Sequence, residues 1–267
     1  MEELGADKLD IKIIVAVHKE YWMPLDSVYL PLFVGAIGKN DIHYQRDDEG
    51  ENISYKNPFY CELTGLYWAW KNMEDDYIGL VHYRRYFAGL RRRPGIDVRN
   101  RILSGDECAQ ILKNTDIIVP RKRYYFIETL YSHYAHTHYG EHLDAAREIL
   151  QQYYPDYLDE FDHCMKQRGG HMFNMMIMKR ELLDEYCQWL FFILRKLEEV
   201  IDYRNYNSFQ ARLFGRISEL LFNVWLRKKK YAYSTLPVVN MEKVQWRKKA
   251  IALIKAKYQK EKYERSF

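Results

Sequence analysis

His82-Tyr83-Arg84-Arg85 follows directly on the apolar run Tyr77 to Val81, within Asp76-Tyr-Ile-Gly-Leu-Val-His-Tyr-Arg-Arg-Tyr-Phe87. Two guanidiniums at a strand's end suit phosphate or pyrophosphate, because the planar fork donates paired hydrogen bonds to such oxygens. In open α/β sheets, ligands bind at the carboxyl ends of strands. The same residues also read as an edge strand followed by a solvated basic turn. No Asp-x-Asp pair stands near this strand end, although hard divalent cations want oxygen ligands. A diphosphate leaving group bound here would be neutralised by Arg84, Arg85 and His82, without a metal.

Five further constellations carry side chains suited to chemistry. His18-Lys19 ends the run Ile11 to Val17, where a nucleotide-binding sheet faces base and ribose; a polar strand cap is the alternative. In Lys56-Asn57-Pro58-Phe59-Tyr60-Cys61-Glu62-Leu63-Thr64, Glu62 and Thr64 fall on a first helical turn, which favours anions. Asn57 and Tyr60 can grip a base or sugar there, or the segment is only a helix-start device. His133, His136, His138 and His142 crowd ten residues, and His138 and His142 stand four apart. They admit a metal cluster, a polar helix face or an acceptor groove, but no carboxylate or Cys completes a metal pattern. Gly169-Gly170 lets backbone approach a ligand before His171 and Asn174, and the Asn amide can both donate to and accept from sugar hydroxyls. Finally, Arg212, Arg216 and Glu219 lie within about two helical turns. Glu219 is a candidate base for a hydroxyl, or one partner of a surface salt bridge.

These residues need elements to hold them. β-Branched or apolar runs predict strands at 11–17, 77–81, 116–120 and 172–178, with Tyr29 to Ile37 a further apolar segment. Amphipathic spacing predicts helices over 60–72, 104–113, 129–153, 156–166, 181–200 and 210–227. Strands alternating with helices predict an α/β fold with a mainly parallel central sheet. The 267 residues, 48% hydrophobic and 29% charged, allow one large domain with an appendage. Twenty-four tyrosines suit ring-shaped polar ligands as well as cores.

Charge is split along the chain. Residues 227–267 hold 13 Lys and Arg against 3 Asp and Glu, while residues 1–226 hold 28 against 34. An acidic main body argues against a nucleic-acid enzyme, and a basic tail points to an anionic surface such as lipid. Cys61, Cys108, Cys164 and Cys187 form no CxxC pair, which favours reduced thiols in a cytosolic setting. Neither a signal peptide nor a run of 18 apolar residues is expected, so the chain reads as soluble or peripheral.

Three segments together resemble a bacterial family of capsular and exopolysaccharide gene clusters, long listed as of unknown function. They are Lys-Asn-Pro-Phe-Tyr-Cys-Glu-Leu-Thr-Gly-Leu-Tyr-Trp-Ala-Trp-Lys-Asn (56–72), the motif at 76–87, and His-Met-Phe-Asn-Met-Met-Ile-Met (171–178). The resemblance spans roughly residues 11–230 and implies a glycosyltransferase of GT-A-like fold. It implies a nucleotide-sugar donor, UDP-galactose or its furanose form, and a polysaccharide or lipid-linked acceptor. Phe173-Asn174 also resembles the Phe-Asn-x-Gly-Val segment of family 8 glycosyltransferases, which implies a donor-sugar contact for Asn174; Met175-Met176 departs from that pattern.

The resulting expectation is a metal-independent hexosyltransferase with no cofactor beyond its donor. Glu219, Arg84 and Arg85 would be catalytic; His18, Lys19, Asn57, Tyr60, Glu62, His82, His171 and Asn174 would bind donor. The alternative is a non-catalytic carbohydrate- or nucleotide-binding protein. The domain is expected to span 1–240, followed by a basic amphipathic helix at 241–267, with Trp246, Ala250, Leu253 and Ile254 on one face. That helix would either dock on the inner face of the cell membrane or pack on the domain.

Overall fold

A computed structural model describes residues 9–90 and 97–242. The expected basic helix at 241–267 lies almost wholly outside the described residues. Eleven strands occur among the described residues: β1 (Ile11–Val17), β2 (Tyr29–Phe33), β3 (Gln45–Arg46), β4 (Tyr77–His82), β5 (Arg85–Phe87) and β6 (Ile117–Pro120), then β7 (Arg123–Tyr124), β8 (Gly169–Gly170), β9 (Met176–Lys179), β10 (Ser234–Leu236) and β11 (Val238–Asn240). Eight α-helices accompany them: α1 (Asn57–Tyr60), α2 (Leu63–Asn72), α3 (Gly105–Leu112), α4 (Leu130–Thr137), α5 (Glu141–Tyr153), α6 (Leu158–Lys166), α7 (Arg180–Val200) and α8 (Leu213–Lys229).

The main sheet runs β10-β6-β9-β4-β1-β2-β3, and β5 extends it from β4 to β11. Pairings among β1, β2, β3 and β4 are parallel, as is β10 with β6. β9 is inserted antiparallel between β4 and β6. The α/β class with a mainly parallel sheet therefore holds, and the segment expected as a strand at 172–178 enters it late and reversed.

The alternation of β1 explains the layering. Ile14 and Ala16 face one core, with α2, α5, α6, α7 and α8; Ile13, Val15 and Val17 face the other, with Cys108 and Leu112 of α3. A strand buried on both faces reads as a continuous apolar run, which is why Ile11 to Val17 was legible. Gly79 of β4 sits where a Cβ would come within 2.9 Å of Ile177 and 3.1 Å of Ile13, so the sheet packs closely at that point.

Two predicted helices are broken. The one over 60–72 ends at Tyr60 and restarts at Leu63, because Cys61 has a left-handed backbone (φ 55°). The one over 129–153 stops at Thr137 and resumes at Glu141, so His138 and His142 do not share a helix. The helix expected from Ser104 keeps its start: Ser104 accepts from Glu107 N–H and Glu107 returns a bond to Ser104 N–H. No helix among the described residues is long and apolar enough to cross a membrane.

Candidate active site

The site forms where β1 and β4 end together. Ala16 pairs with His82, and Tyr83 N–H donates to Ala16 C=O at 3.2 Å. Because β9 is antiparallel, its start lies at this same edge. Phe173 (φ 79°) and Asn174 (φ 50°) make the approach in left-handed backbone. Asn tolerates that region; a bulky Phe there is strained, as residues beside functional sites often are.

β4 does not run on into a basic loop. His82 pairs with Arg85 across a two-residue turn, Tyr83-Arg84, and Arg85 begins β5. The turn separates the two guanidiniums. Arg84 lies 5.1 Å from the Tyr83 ring and 3.5 Å from Glu242 Oε2. Its Nε is buried without a hydrogen-bond partner among the described residues. Arg85 lies 4.7 Å over the Phe173 ring, and Glu219 and Glu62 both act on its charge. Burial nonetheless pulls Arg85 below the usual guanidinium value. Together they line two sides of one corner and do not form a single fork.

His82 differs from expectation in its charge. Burial, then Arg85 and Arg84, press its pKa down to about 3, so it is a neutral ring stacked on Tyr83 at 4.8 Å. It can donate or accept a hydrogen bond but adds no positive charge. His18 and Lys19 are exposed beside it. The His18 ring meets Tyr83 edge-on at 5.2 Å, Tyr21 meets Tyr83 at 4.8 Å, and Lys19 Nζ stands 5.9 Å from both tyrosine rings.

The opposite wall is acidic at its centre and basic around it. The break at Cys61 leaves Glu62 ahead of α2 with its carboxylate free of any capping bond. Its Oε1 instead accepts from Asn174 Nδ2 at 2.8 Å. Glu219, on α8, is raised to about 7, first by burial and then by repulsion from Glu62. The Phe173 backbone N–H, Arg85 and Arg216 oppose that rise without cancelling it. Arg212 Nε donates to Cys61 Sγ at 3.0 Å, and Arg216 donates to Phe209 C=O at 3.1 Å. A carboxyl poised near neutrality beside a like charge is how a protein places a proton acceptor.

Other predicted residues take supporting places. Asn174 is 2% exposed: its Nδ2 also donates to Gly215 C=O at 2.8 Å, and its Oδ1 accepts from Ser218 Oγ at 2.8 Å. Its amide therefore positions Glu62 against α8, with both N–H donors engaged within the protein. Tyr60 is a core residue, 2% exposed and stacked on Phe214 at 4.8 Å. Asn57 Nδ2 is occupied by Cys61 C=O and Thr64 Oγ1. His171 is buried and neutral, its Nδ1–H held by Pro120 C=O. The two glycines before it answer to packing: a Cβ on Gly169 would strike the Tyr124 ring at 2.6 Å, and one on Gly170 would meet Met172 and Asn223.

The histidine cluster disperses. His133 and His136 both bond buried Glu128, His138 bonds Gln210 and Arg216, and His142 lies between the Tyr134 and Tyr206 hydroxyls. Among the described residues, no three His, Cys, Asp or Glu converge to hold a metal ion. Sequence reading missed Tyr21 and Glu242 beside Arg84 and the pairing of Glu62 with Glu219, and gave Tyr83 no role of its own. Those residues are brought together by the hairpin turn and by the break at Cys61, neither of which has a sequence signal of its own.

The model of a domain family described as of unknown function, DUF4422, matches residues 12–230. The chain belongs to the DUF4422 family. Among solved structures, the chain is similar to the apo form of the bifunctional glycosyltransferase WbbM, at 31% identity and a TM-score of 0.81. That match covers 88% of this chain and 46% of the other, so this DUF4422 chain spans about half of WbbM's length. No curated protein matches it. The fold of this DUF4422 chain is thus the mixed α/β architecture found within a glycosyltransferase, as the GT-A-like expectation requires.

Proposed function

We propose that the chain is a glycosyltransferase moving a hexose, galactose or galactofuranose, from a UDP-sugar to a hydroxyl of a polysaccharide or lipid-linked acceptor. The observation carrying this reading is Glu219, raised to about 7 beside Glu62 and Arg85 at the carboxyl edge of the sheet. The likeness to WbbM supports the reaction class.

In this reading His18, Lys19, Tyr21 and Tyr83 receive the nucleoside, since aromatic rings stack on bases. Arg84 and Arg85 bracket the diphosphate from two sides. As the bond from the anomeric carbon to the phosphate oxygen breaks, its electrons remain on UDP, where the guanidiniums stabilise the charge. The acceptor oxygen forms the new bond to that carbon, and its proton passes to the Glu219 carboxylate. The arginines supply the positive charge that a divalent metal would otherwise bring. The setting that fits is the cytoplasm, at the inner face of the cell membrane of a bacterium building surface polysaccharide.

UDP release from a panel of UDP-sugars, with and without EDTA, tests both donor and metal independence. Turnover that survives EDTA and falls by about two orders of magnitude or more in Arg84→Ala and Arg85→Ala supports the assignment. Full activity in either variant rejects that arginine's role. UDP-sugar binding without any turnover would favour a non-catalytic carbohydrate- or nucleotide-binding protein.

A further inference from the structure

Residues 121–127 read Arg-Lys-Arg-Tyr-Tyr-Phe-Ile. Tyr124, Phe126 and Ile127 are 59%, 79% and 65% exposed, three large apolar side chains within four positions. The loop is held firmly in this form. β7 pairs with β8, Tyr125 N–H donates to Arg168 C=O at 2.8 Å, and the Arg168 guanidinium donates to Phe126 C=O at 3.1 Å. Phe126 has a left-handed backbone, φ 55°. A bulky residue rarely adopts that conformation, and here it accompanies a ring turned to solvent.

The loop and the segment that pairs with it carry charge of one sign; the nearby Glu160 is paired with Arg227. The segments 117–127 and 163–170 contain Arg121, Lys122, Arg123, Lys166 and Arg168 and no acidic residue. Glu128, next along the chain, is buried beneath His133 and His136 and offers no surface charge. Exposed aromatic and aliphatic side chains ringed by cations match the headgroup region of an anionic bilayer, where rings settle and phosphates attract Lys and Arg.

We propose that this loop docks the chain on an anionic lipid surface, with Phe126 and Ile127 entering the headgroup–acyl boundary and the cations meeting lipid phosphates. β8, the partner of β7, stands shortly before Phe173, whose ring lies 4.7 Å from Arg85, so the docked loop is joined to one wall of the cleft. If the transfer reaction proposed above holds, a lipid-linked acceptor can reach Glu219 without leaving the surface; docking itself does not depend on that reading.

The test is flotation of the full chain with phosphatidylcholine vesicles, with and without phosphatidylglycerol. Phe126→Asn with Ile127→Ser removes the apolar tip, and Asn suits the left-handed backbone, so the loop keeps its shape. Arg121→Glu with Lys122→Glu reverses the charge. The basic segment beyond residue 242 is common to all variants and cancels in the comparison. The wild-type chain should float with anionic vesicles, about tenfold more weakly without the tip and on the order of a hundredfold more weakly after charge reversal. Failure of the wild-type chain to float, or wild-type affinity in either variant, overturns the proposal. So does a loss of self-association in the tip variant, by light scattering without vesicles, which would mark an interface between copies. UDP-sugar turnover in free solution separates the two ideas: lost flotation with turnover intact supports docking. Flotation without any turnover sinks the proposed reaction and leaves docking standing.

Discussion

At the scale of single residues, Glu219 offers the sharpest tests. Its carboxyl is raised from 4.5 to about 7 in the folded chain, mainly by burial. The base form therefore accumulates only as pH rises through about 7, and the transfer rate should climb over that interval. The effect on stability has the opposite sign. Between about 4.5 and about 7 the folded chain holds a proton that the unfolded chain has released, so stability falls as pH rises and is level above about 7. Glu219→Gln should thus raise stability at pH 8 by roughly 1–3 kcal/mol while removing transfer. A variant that is inactive but no more stable would deny Glu219 its buried charge. Glu62→Gln removes the like charge, so the acid limb of the rate profile should move to lower pH, whatever the height of the plateau. An unmoved limb would show that Glu62 does not act on Glu219.

At the scale of elements, the site depends on a three-way joint. Asn174, just ahead of β9, ties Glu62 before α2 to Gly215 and Ser218 of α8. Asn174→Ala removes the bonds to Glu62 and Gly215 and one acceptor of the Ser218 hydroxyl, which still donates to Gly215 C=O at 2.8 Å, so the cost is about 1–2 kcal/mol, and Glu62 is freed to move. Melting should drop by several degrees, and the acid limb set by Glu219 should shift. A lower melting temperature with an unchanged limb would mean that Asn174 only stabilises. This joint also marks what the sequence could reveal. Long apolar runs and amphipathic periods matched β1, β4, α3 and α7 to within a residue, because burial on one or both faces imposes those periods, while α8 starts at Leu213 after a 3-10 turn. The positive φ values of Cys61, Phe173 and Asn174 leave no periodic trace, and they are what bring Glu62, Asn174 and Glu219 together. Arg84, Arg85 and Glu219 of the candidate site were therefore legible as residue types, whereas the burial of Tyr60 and His171 was not, because a polar atom in a sequence does not declare its burial.

At the scale of the whole molecule, the sheet needs chain beyond the matched family region, which ends at residue 230. β10 closes the β6 edge in parallel, and β11 pairs with β5, placing Asn240 opposite Arg85. Met241 N–H donates to Arg84 C=O at 2.9 Å, and Glu242 faces the Arg84 side chain. The segment 234–242 thus backs both guanidiniums of the proposed diphosphate corner. A chain cut after Glu242 retains this support and should keep its melting temperature and its turnover of UDP-sugar in solution. A chain cut after Tyr233 loses two sheet pairings and buried Leu236 and Val239, a loss on the order of several kcal/mol, or about 10 °C in melting. Even below that melting point its turnover should be far lower, since Arg84 and Arg85 would stand on an unpaired β5. Thermal scans of the two truncations, read with initial rates at a temperature where both are folded, separate the effects. Equal rates from the two folded chains would show that the last two strands stabilise the sheet without positioning the arginines.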